Sequence, residues 1–113
     1  LIPKCPYCGA NMSMNLRSDE TFVQDENWYK AKDKYKAFLN ESKDKNILFF
    51  ELGVGFNTPA IIKYSFWRMA LKNKNSIYAS INLKNVFSIP DLKDRSICID
   101  DDISKVLKYI KNK

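Results

Sequence analysis

One stretch decides the fold of this chain: Asn46-Ile47-Leu48-Phe49-Phe50-Glu51-Leu52-Gly53-Val54-Gly55-Phe56-Asn57-Thr58-Pro59-Ala60-Ile61-Ile62. Its apolar first part predicts a strand buried on both faces of a parallel sheet, because such a strand needs no polar alternation. Gly53 and Gly55 then predict a tight turn in which a ligand can approach the main chain closely. Thr58 as N-cap and Pro59 as first helical residue predict a helix from Pro59 to about Asn73. The amino end of that helix would face the carboxyl end of the strand, where nucleotides bind in open α/β sheets.

This pattern matches the dinucleotide-binding fingerprint only in part. Thr58 stands where the third glycine of the fingerprint is expected. A tight turn between a strand and a helix in an ordinary α/β domain remains an alternative interpretation of the same residues.

Length and charge restrict the class of protein. The 113 residues allow one small domain, and we find neither a signal segment nor an apolar run that could span a bilayer, so we expect a soluble, cytoplasmic protein with no membrane partner. The formal net charge is +6, from 19 Lys and Arg against 13 Asp and Glu. The lysines are dispersed over predicted helices, which favours a solubilising role over nucleic-acid binding.

The amino-terminal segment contains two thiols two residues apart, Cys5 and Cys8, followed by Gly9. This spacing is typical of a zinc knuckle, in which a tight turn presents both sulfurs to one metal. The chain has no histidine, and its third cysteine, Cys98, lies in a predicted strand, where we expect a small buried side chain. We therefore predict that residues 1–18 are the second half of a zinc ribbon, with another Cys pair upstream. A redox CxxC motif is the alternative, although no strand and helix flank it.

The rest of the chain predicts a regular α/β order. An aromatic stripe at helical spacing predicts a helix from Asn27 to Ser42 that packs in the core. Strands are predicted at Ser76–Asn82 and Ser96–Ile99, and Asp102 should cap a last helix. Asn82 falls at a strand end, where an amide could bind a ribose, or could simply be a polar turn residue. The expected fold is α/β with three parallel strands and flanking helices.

Taken together, these pieces resemble the C-terminal half of a sirtuin. The resemblance is closest to the microbial macrodomain-linked sirtuins, whose Leu-Gly-Val-Gly-Phe-Asn-Thr-Pro segment is matched by residues 52–59. It extends through Phe22-Val23-Gln24-Asp25, Ile61-Ile62-Lys63-Tyr64 and Phe66-Trp67-Arg68-Met69, and so covers nearly the whole chain.

The resemblance implies an enzyme with NAD as cofactor that acts on a protein substrate, as an ADP-ribosyltransferase or a lysine deacylase. Residues 19–113 would then be the C-terminal half of a Rossmann-like NAD-binding domain. The resemblance also implies two sets of site residues. The cofactor-binding residues would be Gly53, Val54, Gly55, Asn57, Asn82, Asp101 and Asp102, and the metal ligands for Zn would be Cys5 and Cys8.

Several segments of the sirtuin family are missing from this sequence. It contains no counterpart of the family's Gly-Ala-Gly-Ile-Ser, Asn-Ile-Asp and catalytic His-Gly segments, so we expect no catalytic residue in this chain. These absences predict a C-terminal fragment that is inactive alone. Its first strand should pair with the missing N-terminal half or with another copy. The alternative is a small zinc-knuckle, lysine-rich module that binds nucleic acid or another partner without catalysis.

Overall fold

The computed structural model describes residues 2–84 and 86–113. The chain divides into two compact units, one ending at Phe38 and the other spanning Leu39–Lys113. Within the described residues, no helix is both long and apolar enough to cross a membrane. The boundary between residues 18 and 19 remains a prediction.

The first unit contains a short turn around the two predicted zinc ligands. Lys4 and Asn11 form an antiparallel bridge, and the N–H of Cys5 donates to the carbonyl of Ala10 at 2.9 Å. Gly9 has a φ of +72°, which lets the chain reverse there. Helix α1, Glu26–Glu41, begins after Asp25, whose carboxylate accepts a hydrogen bond from the N–H of Trp28 at 2.8 Å.

Helix α1 was predicted correctly, but its predicted role in the core was wrong. Trp28, Tyr35 and Phe38 are exposed, and no residue of α1 is buried. Periodicity shows only that one face of a helix is apolar, and it does not show that a partner for that face lies within the same chain.

The second unit is an α/β arrangement around a three-stranded parallel sheet, in the order β1-β2-β3. This confirms the predicted fold class at the level of strand number and direction. The elements in chain order are β1 Ile47–Leu52, α2 Lys63–Lys72, β2 Ser76–Asn82, a 3₁₀ helix Pro90–Arg95, β3 Ser96–Asp100 and α3 Ile103–Lys111.

The expectation that β1 is buried on both faces was wrong. Phe49 and Glu51 are buried, whereas Leu48, Phe50 and Leu52 are exposed by 58%, 37% and 43%. Successive side chains of a strand point to opposite faces, so one face of β1 lies in the core and the other remains open.

The start of α2 also differs from the prediction. The helix begins at Lys63 and not at Pro59, and no side chain in the described part of the chain caps it. Thr58 has a φ of +57°, a left-handed conformation that does not lead directly into a right-handed helix. The residues from Pro59 to Ile62 form turns, which places the amino end of the helix four residues further along the chain.

The core lies between α2, the sheet and the 3₁₀ helix. Its buried members are Phe49, Trp67, Ala70, Tyr78 and Leu92. The guanidinium of Arg95 donates hydrogen bonds to the carbonyls of Ala70, Asn73 and Ser76 at 2.9 to 3.1 Å. A cation on carbonyls that the end of a helix leaves free stabilises that end, so Arg95 fixes the connection between α2 and β2.

Candidate functional site

The carboxyl ends of the three strands lie side by side at one end of the sheet, which we call its carboxyl end. The N–H of Gly53, directly after β1, donates to the carbonyl of Ile81 in β2 at 2.8 Å. Asn82, the last residue of β2, pairs in register with Asp100, the last residue of β3. The structure therefore brings Gly53, Asn82 and the residues that follow Asp100 to the carboxyl end of the sheet, as parallel strands require.

Gly53 lies close to the start of α3. Its φ is +68°, and a Cβ at this position would lie 3.3 Å from Cδ1 of Ile103. At Gly55 a Cβ would meet no atom of the described residues within 4 Å. A side chain at Gly53 would therefore be crowded by α3, whereas the space next to Gly55 is free. We call this segment the open glycine turn, because the free space at Gly55 lets a ligand approach the main chain.

The acidic residues at the carboxyl end of the sheet make local hydrogen bonds. Asp100 accepts a hydrogen bond from the N–H of Lys84 at 2.7 Å, and Asp101 accepts one from the N–H of Asp102 at 2.7 Å. Asp102 caps α3 by accepting from the N–H of Lys105 at 3.0 Å. Hydrogen bonds from Ser104 and then from Lys105 hold the pKa of Asp102 below its ordinary value of 3.8. The cap predicted at Asp102 is confirmed, which gives this carboxylate a structural role whatever else it contacts.

The remaining predicted cofactor-binding residues are less constrained. Asn82 is half-buried, and within the described part of the chain its amide makes no hydrogen bond. Val54 and Gly55 are half-buried and Asn57 is exposed. They follow Gly53 along the turn, and among the described residues no hydrogen bond joins them to Asn82 or to the Asp101 and Asp102 pair. Their contact with NAD remains a prediction.

A buried ion pair that the sequence pattern did not predict lies next to the turn. Nζ of Lys63, at the start of α2, lies 2.6 Å from Oε2 of Glu51 in β1, and the two side chains are 1% and 0% exposed. The hydroxyl of Tyr78 donates to the same carboxylate oxygen at 2.9 Å and accepts from Lys63 at 3.2 Å. A signal was present in the sequence: Glu51 is the one charged residue in an apolar strand, and a buried charge requires a partner.

Burial and hydrogen bonding both act on the pKa values of Lys63 and Tyr78 in this network. Burial alone would lower the pKa of Lys63, but its hydrogen bonds to Glu51 and Tyr78 outweigh burial and raise the pKa above the ordinary 10.5. Burial raises the pKa of Tyr78 above its ordinary 10.0, so the hydroxyl stays neutral and can donate to Glu51.

Aromatic side chains surround the ammonium group of Lys63. Nζ lies 5.5 Å from the ring centroid of Phe56 in the glycine turn and 5.7 Å from that of Trp67 in α2. Phe56 in turn stacks on Phe87, with ring centroids 4.9 Å apart and an interplanar angle of 14°. Since Phe87 lies between β2 and the 3₁₀ helix, this stack joins the glycine turn to the connection between β2 and β3.

The two predicted zinc ligands belong to the turn of the first unit. The N–H groups of Cys8 and then Tyr7, and the thiol of Cys8, lower the pKa of the Cys5 thiol below its ordinary 9.0, which favours the thiolate that a metal binds. Two thiols two residues apart could supply two of the four ligands that a tetrahedral zinc site requires. Over residues 2–84 and 86–113, however, no group of three or more potential metal ligands occurs. The predicted partial zinc ribbon is therefore not shown.

Cys98 is exposed on the edge strand β3, so the prediction that it is buried was wrong. It lies in the wall of an open pocket of about 590 Å³ that is also lined by Phe87, Pro90 and Lys93. An edge strand can leave a side chain uncovered even when its sequence neighbours are apolar, and this could not be deduced from the strand pattern.

Comparison with known proteins identifies two relatives, whereas no protein-family model matches the chain. A protein named protein ADP-ribosyltransferase, from Staphylococcus aureus, is 38% identical over 109 residues, which are 95% of this chain and 34% of the relative. A protein named probable bifunctional ADP-ribose hydrolase/ADP-ribosyltransferase, from Fusarium oxysporum f. sp. cubense, is 34% identical over 65 residues, 56% of this chain and 11% of the relative.

The chain thus spans about one third of the length of the Staphylococcus relative. Both relatives are named for ADP-ribose chemistry, and neither name identifies a sirtuin.

Proposed function

We propose that this chain forms the ribose and adenine side of an NAD site in a longer, sirtuin-type protein ADP-ribosyltransferase. The observation that carries the proposal is the position of the open glycine turn beside Asn82 at the carboxyl end of the sheet. Backbone N–H groups near Gly55 would approach the phosphates and ribose, and the amide of Asn82 would bind the adenosine ribose. NAD supplies the ADP-ribose group, and these residues bind and orient it.

Transfer of ADP-ribose to a protein is favoured over lysine deacylation by the names of both relatives. The reacting residues would come from outside this chain. It contains no histidine to act as the general base that the sirtuin resemblance implies. A longer polypeptide is also consistent with the coverage of the Staphylococcus relative, two thirds of which has no counterpart here.

The test is NAD affinity in the longer polypeptide, measured by calorimetric titration. Gly55→Val should weaken NAD binding because two methyl groups would occupy the space above the turn, and Asn82→Ala should weaken it less, by roughly 1 kcal/mol for one lost hydrogen bond. Asn75→Ala is the matched control, since Asn75 directly precedes β2 at the opposite, amino end of the sheet. Unchanged affinity in both site variants would leave only an ordinary turn between a strand and a helix.

The zinc ribbon is a second part of the proposal. Cys5 and Cys8 would be two ligands of a site whose other thiolates lie outside this chain, and two ligands alone hold zinc weakly. We expect the longer polypeptide to contain about one zinc ion, lost in a Cys8→Ser variant, and the 113-residue chain to retain little. Zinc held tightly by the 113-residue chain alone would contradict the shared site.

A further inference from the structure

The buried ion pair joins the two ends of the glycine turn. Glu51 precedes Gly53 by two residues, and Lys63 directly follows Ile62, so the segment between the paired residues is the turn itself. The 2.6 Å contact between Lys63 and Glu51 therefore closes a loop whose entry is the end of β1 and whose exit is the start of α2.

The backbone of this loop has little regular structure to hold it. Gly53 and Thr58 both have positive φ values, +68° and +57°, and no side chain of residues 2–84 or 86–113 caps the start of α2. Non-glycine residues adopt such conformations only where the surroundings enforce them. Phe56 lies in the middle of the loop, and its ring is 5.5 Å from the Lys63 ammonium group. The ion pair thus contacts the loop at both ends and also near its centre.

A buried ion pair is a poor way to gain stability alone. The free energy needed to remove two charges from water cancels most of the free energy gained from their attraction. Apolar residues of similar size often stabilise a core equally well. Among the described residues, the buried atom Oε1 of Glu51 finds no hydrogen-bond partner, which adds to the cost. What the pair does supply is a fixed distance and direction between two elements.

We propose that Glu51 and Lys63 are positioning residues that hold the glycine turn in the conformation that binds the ADP-ribose part of NAD. This inference rests on the proposed function for its ligand, but the conformational part of it is independent of any ligand. Neither residue needs to touch NAD, because both act through the turn between them.

The test compares single variants with a double variant. Glu51→Gln leaves the buried charge of Lys63 without a counter-charge, and Lys63→Met leaves that of Glu51, so either variant alone should lower the Tm strongly. The double variant Glu51→Gln/Lys63→Met has no unpaired charge, so most of the Tm should return. If the pair positions the turn, binding of ADP-ribose to the double variant in the longer polypeptide should remain weaker by about tenfold. Full recovery of both Tm and affinity would overturn the proposal.

Amide hydrogen exchange in the 113-residue chain gives a readout that needs no ligand. In the double variant the hydrogen-bonded amides of the turn, those of Gly53 and Ile61, should exchange about tenfold faster, while those of β2 stay protected. Unchanged exchange in the turn would overturn the proposal even if ADP-ribose binding were lost. Conversely, failure of the wild-type polypeptide to bind ADP-ribose would refute the proposed function, and the exchange result would still decide whether the pair holds the turn.

Two further variants guard against misfolding and against general effects of charge. Phe56→Ala removes the contact at the centre of the loop from a side chain that is 40% exposed, so the fold should persist while the turn exchanges faster. Slow exchange in this variant would contradict a role for the aromatic contact. Glu26→Gln removes the partner of Lys30 in an exposed pair of α1 and should change neither readout.

Discussion

Gly53 and Gly55 are two residues apart, yet a side chain would meet different surroundings at each. Gly53→Ala places a Cβ 3.3 Å from Ile103 and forces an L residue to a φ of +68°, so the free energy of unfolding should fall by about 1–2 kcal/mol. Gly55→Ala meets open space, and its stability should be unchanged or raised by up to about 1 kcal/mol. Urea denaturation of both variants checks this. Equal losses would mean that the turn is not anchored on α3.

The residues at the carboxyl end of the sheet show which parts of a site a sequence can predict. The positions of Gly53, Asn82 and Asp102 follow from strand ends, because parallel strands bring those ends together. The pairing of Glu51 with Lys63 does not follow from any local pattern, since it depends on which turn of α2 faces β1. Only the presence of a lone charge in an apolar strand indicated that a partner existed.

Among the helices, α3 is the one whose start was predicted correctly together with its cap. Asp102→Ala should lower the Tm by a few degrees, because the N–H of Lys105 loses its acceptor, whereas Asp102→Asn should keep most of the cap. Since the pKa of Asp102 is lowered on folding, its contribution is complete above pH 3.8 and is lost as the pH falls through the folded value. Thermal unfolding followed between pH 2 and pH 6 tests this. The Asn variant should lack that part of the acid dependence.

The start of α2 was predicted less well, for a physical reason. Thr-Pro is a good helix start by local preference, but the chain must first leave β1 and bring Lys63 over Glu51. The left-handed conformation at Thr58 and the turns up to Ile62 make that displacement. A tertiary requirement therefore overrides the local signal, as often happens where a turn carries a functional or strained conformation.

Across the chain as a whole, element order and parallel pairing were predictable, but the extent of the core was not. The hydrophobic pattern indicated that β1 and α1 carry apolar faces and could not indicate what covers them. Leu48, Phe50 and Leu52 on β1 and Phe38 on α1 remain exposed within this chain. These exposed faces agree with the proposal that the chain is one part of a longer polypeptide, as large exposed apolar surfaces mark interaction sites.

One edge of β1 is free in the described sheet. In the described sheet β1 pairs only with β2, so its other edge carries backbone groups that can pair with a further strand. We expect the 113-residue chain to be catalytically inactive and to self-associate through this edge, and we expect NAD cleavage when the remainder of the longer polypeptide is added. Sedimentation over a range of concentrations measures the association, and nicotinamide release measures the activity.

A lysine on the open face of β1 distinguishes this edge from other apolar surfaces. Leu48 is 58% exposed, and Leu48→Lys should weaken self-association and complementation together, because edge lysines oppose strand pairing. Tyr109→Lys is the matched control, since Tyr109 is 66% exposed on α3 and does not belong to the sheet. A wild-type chain that stays monomeric, or an association that Leu48→Lys leaves unchanged, would exclude the β1 edge as the interface. NAD cleavage by the purified chain alone would show that the reacting groups lie within these 113 residues and would refute the divided site.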